Sequence, residues 1–192
     1  MGPRCGLFAF FAHYTAMGKA LFLDRDGVVN RETGYVWQLE HFHLQPAVFT
    51  LAQAARSAGY DLVVITNQGG IAKGLYGHEQ VSVLHAYMEA QFRANGIAPP
   101  FVLYCPHHPD SGHCLCRKPE SLLFERARAL FDADPAESYM IGDRERDLVP
   151  AKKIGLHTIM VGNHQSTYAD LHFADMQQTT HYFLQHVFAA AR

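Results

Sequence analysis

Five short apolar runs, each followed by polar or acidic residues and then by a helical pattern, constrain this chain more than any other feature. They are KALFLD (19–24), DLVVIT (61–66), FVLYC (101–105), SYMIGD (138–143) and HTIMVG (157–162). Near-continuous apolar runs of this length suit strands buried on both faces of a parallel sheet. Between them lie amphipathic segments. Residues 46–58 carry Val48, Leu51, Ala52 and Ala55 on one face, and residues 78–95 carry Val81, Leu84, Met88 and Phe92 on one stripe. Residues 122–131 and 147–154 read as two further helices, with Gly59, Gly96 and Gly155 as stops. Residues 170–174 read as a short edge strand and 180–190 as a closing helix. Alternation of this kind predicts an α/β fold: a three-layer, Rossmann-like, doubly wound parallel sheet.

The chain has 192 residues, enough for one domain with its own core. We expect a single domain over 17–192, preceded by an extension over 1–16 that carries no chemistry. The apolar stretch at 7–12 is too short for a secretory signal. Hydrophobic residues make up 48% and charged residues 18%, which excludes a disordered chain. Sixteen basic against eighteen acidic residues argue against a nucleic-acid footprint. No apolar run is long enough to span a membrane. The expected partner is a small molecule, bound by a cytoplasmic monomer.

In an open parallel sheet the ligand crevice lies beyond the carboxyl ends of the strands. After the first run come Asp24 and Asp26, whose alternation along an extended chain points them the same way. Two carboxylates that close need a cation, and magnesium accepts one or two carboxylates plus phosphate oxygens. After the second run come Thr66, Asn67, Gln68 and Gly69, a hydroxyl, two amides and an opened backbone suited to an oxyanion. Arg117 and Lys118 supply positive charge beyond the third. Asp143 ends the fourth, with Asp147 one helical turn beyond, so Asp24, Asp26 and Asp143 can hold magnesium together.

FLDRDGVV, VVITNQ, CRKP and IGDRERD, in this order, resemble the haloacid dehalogenase-like phosphohydrolases over residues 19–162. The resemblance implies a mechanism the residues favour on their own chemistry. Asp24, ionised at neutral pH, attacks phosphorus and forms an aspartyl-phosphate. Asp26 protonates the leaving alcohol and then activates water. Asp24, the Asp26 backbone carbonyl and Asp143 bind magnesium, while Thr66 and Lys118 bind the transferring oxygens. Arg25, Gly34, Tyr35, Asn67, Gln68, Gly69, Arg117 and Arg144 are expected around the substrate.

Thirteen histidines and four cysteines are present, and three of the cysteines fall within 105–116. Cys105, His107, Cys114 and Cys116 form C-x-H-x6-C-x-C, which suits a closed tetrahedral zinc site. Such a site leaves no open position, so its role is structural. Clustered thiols point to a metal in a reducing compartment. His108 and His113 are expected to stand outside the ligand set, and Cys5 to be a bystander. This loop, running into CRKP, is similar to the branch of the family that acts on heptose bisphosphate or histidinol phosphate. DRDGVVNRETGYV (24–36), TNQGGIAKG (66–74) and CPHHP (105–109) favour the heptose type. The short segment between His107 and Cys114 and the sequence Pro119-Glu120-Ser121 depart from it. Residues 24–45 and 68–77 leave no room for a large cap, so loops must set specificity. A catalytically silent zinc-loop interaction protein is the competing class, and the intact Asp24, Asp26, Thr66, Lys118 and Asp143 argue against it.

Overall fold

The computed structural model describes residues 17–189. The expected extension, Cys5 and the expected end of the last helix at residue 190 lie outside the described residues. The strands are β1 (Lys19–Leu23), β2 (Tyr60–Asn67), β3 (Phe101–Cys105), β4 (Tyr139–Gly142), β5 (His157–Val161) and β6 (Leu171–Phe173). The helices are α1 (Pro46–Ser57), α2 (His78–Ala94), α3 (Leu122–Phe131), α4 (Glu145–Lys153) and α5 (Met176–Tyr182). All five strand pairings are parallel, in the order β3-β2-β1-β4-β5-β6.

Strand residues alternate between two helical layers because successive side chains leave a strand on opposite faces. Leu21, Leu23, Leu62 and Val64 pack with buried residues of α1, α2 and α5. Ala20, Phe22, Val63 and Ile65 pack with those of α3 and α4. This is the expected three-layer, doubly wound sheet. The predicted apolar stripes of α1 and α2 are the faces that become buried.

Two helix starts differ from expectation. Helix α4 begins at Glu145 rather than at 147, because the Asp147 carboxylate lies inside the first turn and accepts the Arg144 N–H at 3.0 Å. Helix α5 begins at Met176, where the Asp175 side chain accepts the Gln178 N–H at 2.8 Å, and it widens into a π-helical turn over Phe183–Val187.

Register brings the site together. Leu23 pairs with Val64 on one side and with Ile141 on the other. β1 and β4 therefore end within one residue of each other, β2 runs on beside them to Asn67, and strand order reverses beside β1. Between β1 and α1 there is only a short turn at Leu39–His41, and residues 68–77 hold no helix or strand. Among the described residues, the crevice carries no cap domain.

Candidate active site

The chain leaves β1 through Asp24 and turns at once. Gly27 makes the turn with φ +93°, in the left-handed region, and a Cβ there would stand 2.5 Å from the Asp143 Oδ2. The turn therefore lets the Asp143 carboxylate lie against the β1 loop. Asp24, Asp143 and Asp147 are all buried, and one carboxylate oxygen of each lies within 4.8 Å of the others. Lys118 reaches into this group from the loop between β3 and α3. Its Nζ is 2.6 Å from Asp24 Oδ1, 2.8 Å from Asp147 Oδ1, and donates to the Ile65 carbonyl at 2.6 Å. The backbone of Lys118 is fixed by Asn67, whose Nδ2 donates to the Lys118 carbonyl and whose Oδ1 accepts the Lys118 N–H, both at 3.0 Å.

Burial and the neighbouring Asp147 push the Asp24 carboxyl up to about 8, although Lys118 pulls the other way. Burial and Asp147 likewise push Asp143 up to about 6. Burial works against the Lys118 charge, but Asp147 and Asp24 outweigh it and hold the ammonium protonated. A further cation fits here on the chemistry of the donors. Three buried carboxylates face one ammonium, and Asp143 Oδ1 is buried without a hydrogen-bond partner among the described residues. A small hard ion that prefers oxygen answers both features, and magnesium is such an ion.

A pH dependence follows. Without a divalent ion the folded chain keeps protons on Asp24 and Asp143 that the unfolded chain loses near pH 4. Stability should then fall as pH rises from about 4 toward 8, because the folded state binds more protons across that window. Magnesium competes with those protons. At roughly 100 times its Kd it should raise Tm by about 5–10 °C at pH 8 and by far less at pH 5. Thermal melts with and without magnesium at the two pH values check this, and equal shifts would contradict it.

Several expected residues stand where the sequence placed them, and some do not. Thr66, Gln68, Gly69, Gly34, Tyr35 and Arg117 line one cavity of about 220 Å³ above Asp24 and Lys118. Asp26 lines it too, but its carboxylate is outside the acidic cluster. It accepts from Arg25 Nη2 at 2.9 Å, Asn30 Nδ2 at 3.0 Å and Gln68 Nε2 at 3.1 Å. The third carboxylate of the cluster is that of Asp147. Arg25 does not face the cavity as expected. It is fully buried, donates to the Val36 carbonyl at 3.1 Å, and lies 3.4 Å from the His85 ring. Burial and the Arg25 charge lower His85 to about 4, so the ring is neutral and able to accept from the guanidinium. Asn67 lines the cavity, yet its amide is engaged by the Lys118 backbone. Arg144 is not among the lining residues either, since its Nε pairs with Asp143 at 3.2 Å and its Nη1 meets His164.

Glu32, Val36, Tyr76 and Arg146, which are not among the expected site residues, also line the cavity. Glu32, Val36 and Tyr76 lie on the loops before α1 and α2 that are expected to set specificity, and Arg146 lies three residues after Asp143, on the first turn of α4.

The cysteine loop packs beside this cavity. Cys105, His107, Cys114 and Cys116 converge, with Sγ–Sγ separations of 3.2, 3.6 and 3.7 Å and His107 Nδ1 at 3.3 Å from Cys116 Sγ. Tetrahedral zinc with bonds of about 2.0–2.3 Å has ligand–ligand edges of this size. Burial pushes the Cys105 thiol up, a penalty that a bound cation removes. His108 and His113 instead pair with Asp110 and Glu120. Arg117 Nη1 donates to the His107 carbonyl at 2.8 Å, and a Cβ on Gly69 would meet that same Nη1 at 2.9 Å. The loop thus fixes Arg117 on the cavity wall. Cys114→Ser should lower zinc content about tenfold or more in protein purified without added metal. Metal analysis checks this, and unchanged zinc would remove the loop from the site.

A doubly wound sheet with buried carboxylates, a lysine and a strand-ending threonine at its reversal point defines the class, a haloacid dehalogenase-like hydrolase. A HAD-hydrolase-like family model matches residues 115–189. The chain is 39% identical over 145 residues to the D-glycero-beta-D-manno-heptose-1,7-bisphosphate 7-phosphatase of Vibrio cholerae, covering 72% of this chain and 78% of that one. It is 37% identical over 149 residues to the D-glycero-alpha-D-manno-heptose-1,7-bisphosphate 7-phosphatase of Burkholderia mallei, covering 74% and 79%. Its fold is similar to the D,D-heptose 1,7-bisphosphate phosphatase of B. bronchiseptica, crystallised with magnesium and phosphate. That comparison has a TM-score of 0.78 and 27% identity, covering 88% of this chain and 99% of the other. The chain belongs to the D-glycero-D-manno-heptose-1,7-bisphosphate 7-phosphatase family of haloacid dehalogenase-like phosphatases.

Proposed function

We propose that this phosphatase removes the 7-phosphate of D-glycero-D-manno-heptose 1,7-bisphosphate, a step in making lipopolysaccharide-precursor heptose. The observation that carries the reading is the cavity: Asp24 and Lys118 form its base, and Arg117 and Arg146 stand on its wall. A phosphoryl group at the base leaves two guanidiniums for a second phosphate, which they bind in forked pairs.

Asp24, Asp143 and the Asp26 carbonyl, with Asp147 close by, would hold magnesium, which would supply positive charge to the phosphoryl oxygens and favour the ionised form of Asp24. Asp24 Oδ attacks phosphorus while the bond to the sugar oxygen breaks. Lys118 orients Asp24 and stabilises the equatorial oxygens. Asp26 gives its proton to the departing alkoxide. It then takes a proton from water, which attacks the aspartyl-phosphate, breaks the bond to Asp24 and releases inorganic phosphate. Gly34 and Tyr35 border the sugar. We read the chain as acting in the cytoplasm as a monomer. Among the described residues, no helix is long and apolar enough to cross a membrane.

The test compares phosphate release from the α- and β-anomers of the 1,7-bisphosphate, from heptose 7-phosphate and from histidinol phosphate. The bisphosphate should give the highest kcat/KM. Arg117→Ala should reduce it by about tenfold or more on the bisphosphate and much less on the monophosphates. Equal losses would sink the assignment of Arg117 to the distal phosphate. A preference for histidinol phosphate would replace the sugar reading.

A further inference from the structure

We propose that Tyr76 heads a one-directional chain of hydrogen bonds that aims the Thr66 hydroxyl proton at the transferring phosphoryl group, which makes Tyr76 a positioning residue; this rests on the reading above, in which Thr66 faces that group.

The Tyr76 ring is held on several sides. It stacks on Trp37 with centroids 6.5 Å apart and meets Tyr35 edge-on at 6.4 Å. It also lies against Gly70, where a Cβ would stand 2.2 Å from its Cε1. Any side chain at position 70 would push the ring away. The packing leaves the hydroxyl one place, 2.9 Å from Gln68 Oε1. Burial pushes the phenol up to about 12, so it is a donor at neutral pH.

Gln68 is buried, and its amide has one donating and one accepting end. Its nitrogen end faces Asp26, with Gln68 Nε2 3.1 Å from Oδ2 of a carboxyl that also receives Arg25 Nη2 and Asn30 Nδ2. Its oxygen end faces Tyr76. The same Nε2 donates to Thr66 Oγ1 at 2.8 Å, so the Thr66 oxygen is an acceptor in that bond. A hydroxyl carries one proton. Among the described residues nothing takes that of Thr66, and Thr66 lines the cavity above Asp24. Each bond runs the same way: Tyr76 to Gln68, Gln68 to Thr66, Thr66 to the phosphoryl oxygen. Bonds aligned head to tail polarise one another.

Remove the phenol oxygen and Gln68 Oε1 is left buried without its donor. The amide is then held at its nitrogen end alone, and its aim at Thr66 Oγ1 loosens. The Thr66 proton loses its fixed direction toward the phosphoryl group.

Tyr76→Phe, Thr66→Val and the double variant test this in the full chain with magnesium and zinc. Using p-nitrophenyl phosphate keeps the outcome independent of which sugar is the substrate. Thr66→Val should lower kcat by about a hundredfold. Tyr76→Phe should lower kcat about five- to tenfold, the effect of one hydrogen bond, with KM little changed. Inhibition by orthovanadate, which mimics the transferring group, should weaken in step. The double variant should be no slower than Thr66→Val alone, because Tyr76 acts only through that hydroxyl. Full turnover in Thr66→Val would overturn the placement of Thr66 and the chain with it. A slow Thr66→Val beside a wild-type Tyr76→Phe would overturn the chain alone, as would multiplicative losses in the double variant.

Discussion

Asp24→Asn will lower phosphate release by at least about four orders of magnitude, because the substitution keeps the shape of the side chain and removes its nucleophile. Asp24 is the buried carboxylate nearest Lys118, at 2.6 Å, and it stands at the base of the cavity. Neither other carboxylate of the cluster lines the cavity: Asp147 is tied to the Arg144 N–H and to Lys118, and Asp143 pairs with Arg144 Nε. The asparagine oxygen can still accept from Lys118, so the fold should survive. Losing one of three crowded carboxylates should leave the magnesium-free protein at least as stable as the parent near pH 8, where the Asp24 charge is most costly. Phosphate release, acid-trapped phosphoenzyme and thermal melts together check this. Turnover within tenfold of the parent would refute a covalent route through Asp24.

Lys118→Ala should damage both activity and stability. The ammonium is buried between Asp24, Asp147 and the Ile65 carbonyl. Removing one partner of a buried charged group leaves the others uncompensated, a loss of about 3–5 kcal/mol. The loss should be larger at pH 8 than at pH 5, because Asp24 and Asp143 take up protons as pH falls and then need less compensation. On every substrate kcat should fall by about 10²–10³, because the transition-state oxygens lose a preorganised cation. Magnesium should recover part of the stability and little of the rate. A variant that melts like the parent at both pH values, or that loses activity on the bisphosphate alone, would contradict this role.

What was legible from residues alone was local. Strand and helix periods are properties of a few consecutive residues, so β1 to β5, the buried faces of α1 and α2, and the strand ends carrying Asp24, Thr66 and Asp143 could be read directly. The zinc ligands fall within 105–116, and close spacing made their convergence readable. Side-chain direction is another matter, because it depends on partners far along the chain. Tertiary packing alone sent the Asp26 carboxylate to Arg25, Asn30 and Gln68, and left its place in the cluster to Asp147. It buried Arg25 beside His85, sixty residues away. It clamped Asn67 onto Lys118 across 51 residues, and it chose Arg146 over Arg144 for the cavity wall. Hydrogen-bond direction is decided the same way: nothing near Gln68 in sequence reveals that Tyr76 and Asp26 orient its amide. A backbone period is set by neighbours in the chain, whereas the aim of a buried polar group is set by whichever donors and acceptors the fold closes around it.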